Sequence, residues 1–366
     1  MRTELSAVGT VVPGKKQSTA ASRPLLVRLV VAVAAVILGF LLGEGVVRFA
    51  FPEWAPRTAR LTDFWRYDRR YGWSHIPGTK GIFRSHGIDA EVVINAKGFR
   101  GPEVPYARTP ERPRVLFLGD SLTWGFGIAF DDIFVTRLER SLPPLETVNL
   151  AVSGYATDQE LLLYQDEGRK YRPDLVVIVV AYNDSLENAQ TVAYAVYGKP
   201  AFVLRDGQLQ LINQPVAQPS IMTRAFTRLA WRSYILTGIH RALHEASSGP
   251  RAAGDPGVDH ATVETVPPRF GNWALTVRLL LELARATCAD GTELLVVFSD
   301  GIAAAPALAR LLAVHGVDSI VLDEVLDQGD PTLHLPDKLH WSPLGHVRVA
   351  SALTEPIRRK LAGESR

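Results

Sequence analysis

With one cysteine, Cys288, in 366 residues, the chain has no intramolecular disulfide framework, and its core must come from apolar packing. Cys288 lies in an apolar helical stretch, residues 279–288, where a buried, inert thiol is expected. Charge of one sign is also missing. The 40 basic and 38 acidic side chains nearly cancel to +2, which gives no case for nucleic acid or another charge-driven partner. His75, His86, His240, His244, His260, His315 and His334 form no metal motif. His240 and His244 are four apart on an expected helix, yet Arg241 stands where a zinc protease motif needs glutamate. A Walker-type phosphate loop, a dinucleotide fingerprint and an internal repeat are all lacking. No cofactor and no metal are therefore assigned. What is present is 47% hydrophobic residues, ample for a core in one large decorated domain or two smaller ones.

Residues 25–47 form the longest apolar run, with no charge between Arg28 and Glu44. As a helix, 23 residues span about 34 Å, against about 30 Å of bilayer hydrocarbon. The fully uncharged part is shorter, so spanning requires Arg28 and Glu44 to reach toward the headgroups. A cleaved signal peptide competes with this reading. However, the polar stretch before the run is long, and Gly43-Glu44-Gly45 is a poor cleavage site, which favours an uncleaved signal anchor. Basic residues tie across the run: Lys15, Lys16, Arg23 and Arg28 precede it, and Arg48, Arg57, Arg60 and Arg66 follow. A short polar tail before a large globular remainder tips the orientation toward tail inside and globular part outside.

Residues 1–24 lack apolar periodicity and read as a disordered cytoplasmic tail. Residues 48–110 read as an aromatic-rich extension with a strand at 91–95. Its Trp65, Tyr67, Tyr71 and Trp73 are expected to cover an apolar face; a sugar-binding surface is the alternative. From residue 111 strand and helix alternate. Strands are expected at 115–118, 146–150, 174–180, 293–298 and 319–322, and helices from Asp131, over 161–171, from about Trp273 and over 305–314. Such alternation predicts an α/β fold with a parallel sheet and crossover helices on both faces. Residues 186–269 interrupt the alternation: a hairpin around Asp206-Gly207, a helix over 221–246 and a Gly/Pro/Ala-rich stretch, 247–266, expected to be mobile.

Gly119-Asp120-Ser121-Leu122-Thr123 directly follows the first of these strands, and Asp337-Lys338-Leu339-His340 lies far downstream. A serine hydroxyl is a poor nucleophile near neutral pH; it needs a base, and the base needs a group that fixes its tautomer and orientation. Ser121, His340 and Asp337 have the chemistry for those three roles. Each pattern alone has a plain reading: Asp120 and Ser121 as helix caps, Asn183-Asp184 as a polar turn, and His340 as a surface histidine ahead of a Ser342-Pro343 helix start. His346, the rival base, falls inside that helix without a carboxylate at the same spacing and reads as packing.

Four blocks in order resemble the SGNH hydrolases, also called GDSL esterases/lipases. They are Gly119-Asp120-Ser121-Leu122-Thr123-Trp124-Gly125, Asn149-Leu150-Ala151-Val152-Ser153-Gly154-Tyr155, Ala181-Tyr182-Asn183-Asp184, and Asp337-x-x-His340 followed by Trp341-Ser342-Pro343-Leu344-Gly345-His346. The third block has alanine where the family has glycine. The resemblance runs from about Arg112 to the C-terminus. It implies a flavodoxin-like three-layer α/β/α hydrolase domain over 111–366, catalytic residues Ser121, Asp337 and His340, and an oxyanion hole made by the Ser121 and Gly154 N–H groups and the Asn183 amide. It also implies a bacterial, membrane-anchored enzyme facing the periplasm or cell exterior. The expected activity is hydrolysis of acyl esters, chiefly O-acetyl, of a small-molecule, carbohydrate or envelope substrate through an acyl-enzyme. Two other readings stay open: an O-acyltransferase that passes the acyl group to an extracytoplasmic polysaccharide, and a non-catalytic polysaccharide-binding or scaffold module.

Overall fold

Helix α1, Arg23–Ala50, follows from the apolar run, and its apolar side chains stand exposed along most of its length. Its Leu26–Ala50 stretch contains an 18-residue window with a mean hydropathy of 2.6, and is long and apolar enough to cross a membrane; a signal sequence near an N-terminus meets the same measure. The computed structural model describes residues 23–51, 64–85, 88–193, 197–230, 233–236, 238–239, 273–327 and 329–364. Most of the expected tail 1–24, the stretch 247–266, and His86, His240, His244 and His260 lie outside them.

The extension makes two small antiparallel ladders, β1 (Trp65–Asp68) with β2 (Gly72–His75) and β3 (Lys80–Ser85) with β4 (Ile88–Val93). Its rings pack inward. Trp73 is buried in the main core, and Phe64, Phe83 and Trp124 form a separate aromatic cluster with Trp65 against it. This is the face-covering role expected of the aromatics at Trp65 and Trp73.

The hydrolase region then runs β5 (Arg114–Leu118), a single turn α2 (Ser121–Trp124), α3 (Phe134–Ser141), β6 (Glu146–Asn149), α4 (Thr157–Asp166), β7 (Leu175–Val180) and a second single turn, α5 (Asp184–Glu187). The insertion supplies a hairpin, β8 (Ala201–Arg205) with β9 (Gln208–Ile212), and helix α6 (Ile221–Ala230). Helix α7 (Trp273–Ala289), β10 (Glu293–Phe298), α8 (Ala305–Val314), β11 (Asp318–Val321) and α9 (Pro343–Leu361) complete the chain. Five strands pair in parallel in the order β11-β10-β7-β5-β6. Counted along the chain this is the 2-1-3-4-5 order of the flavodoxin-like fold, whose direction reverses between β5 and β7.

Unbroken apolar strands fit because both faces are covered. Leu116, Leu118, Val176, Ile178, Val180, Val296 and Phe298 face a core shared with α4, α7 and α8. Val115, Phe117, Leu175, Val177, Val179, Leu295 and Val297 face a second core with α3 and α9. Strand period two thus sorts one apolar run onto two helix layers. The fold is a three-layer α/β/α sandwich, as the alternation predicts.

Three local expectations are corrected. Helix α4 starts at Thr157, not Leu161, because Asp184 Oδ1 and Asn188 Oδ1 accept the N–H groups of Thr157 and Asp158 at 3.1 and 3.0 Å. Its expected continuation to Tyr171 is a separate 3-10 turn, Gly168–Tyr171. The helix expected over 221–246 is interrupted at Ser233, whose Oγ caps a new turn by accepting from Leu236 N at 3.1 Å; residues beyond 239 in that span lie outside those described. Cys288 is exposed, because the buried stripe of α7 runs through Thr276, Leu279, Leu280, Leu283 and Thr287, and position 288 lies beside it.

Candidate active site

The strand order brings three loop segments to one sheet edge. β5 lies between β6 and β7, so the segments holding Ser121, Gly154 and Asn183 all leave neighbouring strands at their carboxyl ends, where ligands bind in open α/β sheets. The turn after β5 is tight. A Cβ at Gly119 would stand 2.2 Å from Thr123 Oγ1, and one at Gly125 (φ +81°) would meet Ile133 Cγ2 at 2.2 Å, so both positions need glycine. Asp120 is buried and caps α2 by accepting from Leu122 N at 2.9 Å.

Ser121 Oγ lies 2.9 Å from His340 Nε2, and His340 Nδ1 lies 2.7 Å from Asp337 Oδ2. Asp337 also accepts from the N–H groups of Leu339 and His340, at 3.0 and 3.1 Å. Burial alone would push the Asp337 carboxyl up, but the bonds from the His340 ring and these two N–H groups outweigh it and hold the acid well below the usual carboxylate range. An ionised carboxylate only accepts, so Nδ1 carries the hydrogen, and in the neutral form of the ring the Nε2 lone pair faces Ser121. That tautomer can take the serine proton.

Several parts of this site lie outside the catalytic residues and oxyanion donors expected from the sequence. Phe126 stacks on the His340 ring, centroids 4.1 Å apart and planes 16° off parallel, and its own N–H donates to Ser121 O at 3.0 Å. It braces the imidazole from the segment that carries Ser121. Phe126→Leu is expected to lower kcat about tenfold or more, with Phe126→Tyr restoring most of it, since small misplacements of a reacting group are costly; ester turnover of the two variants checks this.

Asp300, just past β10, accepts from Trp341 Nε1 at 2.8 Å and pairs with His334 Nε2 at 2.8 Å, tying the His340 loop to the sheet. Arg100 is buried and donates to the carbonyls of Trp124, Gly125 and Ile128 at 2.8, 2.6 and 2.5 Å, fixing the turn after Ser121. Its burial pushes the guanidinium down to about 10.

Gly154 adopts φ +83°, and the extension grips its loop: Trp73 Nε1 donates to Ser153 O at 3.2 Å and Tyr155 OH donates to Trp73 O at 2.6 Å. Asn183 follows β7, and a bond from its side chain to Glu187 only partly offsets the upward push that burial gives that acid. Asp184 is more than a polar turn. It is buried and links Ala181 N, at 2.7 Å, to the start of α4. His346 is also buried, accepts from Phe134 N at 3.2 Å, and is pushed down to about 3 by desolvation, so it stays neutral and structural.

Asp120, Asp158, Glu160, Asp184 and Glu187 influence one another electrostatically beneath this edge, and Lys199 Nζ bonds Asp158. Burial first, then the neighbouring carboxylates, push Glu160 well above its ordinary value and Glu187 up to about 7. For Glu187 the folded state holds a proton more tightly than the unfolded chain, so its contribution is favourable at acid pH and lost as pH rises from about 4.5 through 7. Glu187→Gln is expected to remove on the order of 2 to 3 kcal/mol of the stability lost between pH 5 and 8. Parallel urea titrations at both pH values check this; an unchanged difference would refute it.

The sequence matches the GDSL-like lipase/acylhydrolase family over residues 117–348, well over half the chain. No curated protein matches it. Among solved structures it is similar to TesA, at 14% identity with 68% of this chain and 99% of that one covered and a TM-score of 0.37. The psychrotrophic esterase EstA from Pseudoalteromonas sp. is 12% identical, with 68% and 98% covered and a TM-score of 0.38. A two-domain esterase active on acetylated mannans is 12% identical, with 70% and 51% covered and a TM-score of 0.38. With the family match running from the end of the strand before Ser121 through the three loops at the sheet edge to beyond the Asp337–His340 segment, the chain belongs to the GDSL-like lipase/acylhydrolase family and is a serine hydrolase.

Proposed function

We propose that this chain is a membrane-anchored serine esterase that removes acyl groups, chiefly O-acetyl, from a carbohydrate or envelope substrate. The observation that carries this reading is the bonded line from Ser121 Oγ through His340 to Asp337. In the proposed cycle Ser121 Oγ attacks the ester carbonyl as His340 Nε2 takes its proton. The tetrahedral oxyanion is held by the Ser121 and Gly154 N–H groups and the Asn183 amide, donors each worth about 3 to 4 kcal/mol in a serine hydrolase. Collapse breaks the bond to the alkoxy oxygen, which leaves as the alcohol with the proton from His340. Water, deprotonated by the same ring, then cleaves the acyl-enzyme and regenerates Ser121.

Helix α1 serves as the uncleaved anchor, with the tail of residues 1–24 inside and the domain of residues 111–366 outside the cytoplasm. Its length, apolarity and exposed side chains support a membrane span. The segment of residues 48–110 acts as the extension that braces the site, and residues 186–269 act as an insertion in the domain.

Aryl esters of increasing chain length, followed by acetylated polysaccharides, test the reading: acetyl esters should turn over fastest. Acetate release measured with and without a sugar acceptor separates the two acyl fates. Acceptor-dependent loss of free acetate, with acetyl appearing on the sugar, would replace hydrolysis by transfer. Failure of the chain to react with a fluorophosphonate serine probe would sink both.

A further inference from the structure

The insertion and the apolar helix meet at a point that the esterase reading does not use. Glu44 interrupts the apolar surface of α1, and its carboxylate accepts from Ser233 Oγ at 2.8 Å, Tyr234 N at 2.7 Å and Ile235 N at 3.2 Å. Arg48 lies over the Tyr234 ring, 5.1 Å from its centroid. Gly43 faces the same segment: a Cβ there would stand 3.4 Å from Ile235 Cδ1, within ordinary contact. Glu44 is 9% exposed, whereas Leu41, Leu42 and Val46 around it are at least 60% exposed. A carboxylate in an apolar span is costly unless it is paired; Arg48 of the same helix pairs with Glu44 at 3.3 Å, and the insertion supplies three further donors.

The depth of this contact follows from helix rise. Glu44 lies 18 residues beyond Leu26, about 27 Å along the axis, near the far edge of a hydrocarbon layer of about 30 Å. Residues 233–236 therefore sit at headgroup level on the side where the chain leaves the membrane. Helix α6, which precedes them, begins with Ile221 and Met222, 76% and 83% exposed, and Ile239 just beyond is 50% exposed. Residues 221–239 contain Arg224, Arg228 and Arg232 and neither Asp nor Glu. Exposed apolar side chains in a stretch whose charged residues are all basic, beside a span, suit an anionic lipid surface.

We propose that α6 and residues 233–236 form a second membrane-contacting element, lying on the anionic bilayer surface and latched to the exit end of α1 by Glu44. This rests on α1 being a membrane span. The test uses the full chain in nanodiscs of phosphatidylcholine with phosphatidylglycerol, in a Cys288→Ser background. A fluorophore is placed on Met222→Cys, Ile239→Cys, Val36→Cys or Val314→Cys, with a nitroxide carried on the lipid as quencher. Aryl-ester turnover confirms that each variant is folded.

Quenching at positions 222 and 239 is expected to approach that at 36, to exceed that at 314 severalfold, and to weaken when phosphatidylglycerol is omitted. Adding Glu44→Ala should reduce quenching at 239 without changing that at 36. Strong quenching at 36 with none at 222 and 239 would overturn the proposal while leaving the span intact. Absence of quenching at 36 would overturn the span, and this proposal with it.

Discussion

Ser121→Ala is expected to lower ester turnover by about four to six orders of magnitude, the range seen when a serine hydrolase loses its nucleophile. The hydroxyl is the only group on His340 Nε2 in the bonded line, at 2.9 Å, so its loss leaves the base without a proton to take. Its removal also abolishes fluorophosphonate labelling. Asp337→Asn should cost about 10⁴-fold by reversing the imidazole tautomer. An amide NH₂ would then face Nδ1, and the ring hydrogen would move to Nε2, where it blocks attack. Because the three groups act as one unit, Ser121→Ala combined with His340→Ala should be no worse than either alone. Unchanged melting temperatures would show that the loss is chemical. If Ser121→Ala retained activity within about tenfold of the parent, the assignment would fail.

Lys199→Met is expected to destabilise the fold by about 3 to 5 kcal/mol, the cost of leaving one partner of a buried pair without the other. Lys199 and Asp158 are both fully buried, and the ammonium also donates to Glu187 O at 3.1 Å. Without it Asp158 keeps its negative charge near Glu160 and Glu187, where burial already raises its pKa. The variant should therefore recover stability as pH falls and Asp158 takes up a proton, whereas the parent gains less over the same range. The double variant Lys199→Met with Asp158→Leu should restore much of the loss, since apolar replacements of a buried pair are often neutral. Chemical denaturation of the three proteins measures both effects. A single variant as stable as the parent would mean that the pair is not buried in solution.

The sheet was legible because its strands are uninterrupted apolar runs whose pairing needs no special side chain. Leu175–Val180 and Glu293–Phe298 lie within a residue of where hydrophobicity puts them. The meeting of Ser121 with His340 was legible only through motif order, since nothing local links residues 219 positions apart. Phe126, Asp300 and Arg100 stayed hidden for a different reason. Each acts through a contact made after the chain has folded, and a phenylalanine after a Gly-rich turn reads as ordinary core. Asp300 had the best available signal, as a carboxylate just past the carboxyl end of a predicted strand. The early start of α4 was missed because its caps, Asp184 and Asn188, come from the far side of the next strand.

Trp73 and Arg100 bear on where the cooperative unit begins. Composition divides the chain near residue 111, but the Trp73 indole holds the Gly154 loop and the Arg100 guanidinium holds the turn after Ser121. Exposed loops at a catalytic edge ordinarily open at the low end of a protein's stability range. Here carbonyls of those two loops accept hydrogen bonds from a segment contributed from outside the sheet, so the hydrogen exchange of the two loops should slow together and speed together. A chain cut at residue 111 would keep its sheet and lose the rigidity of its catalytic edge.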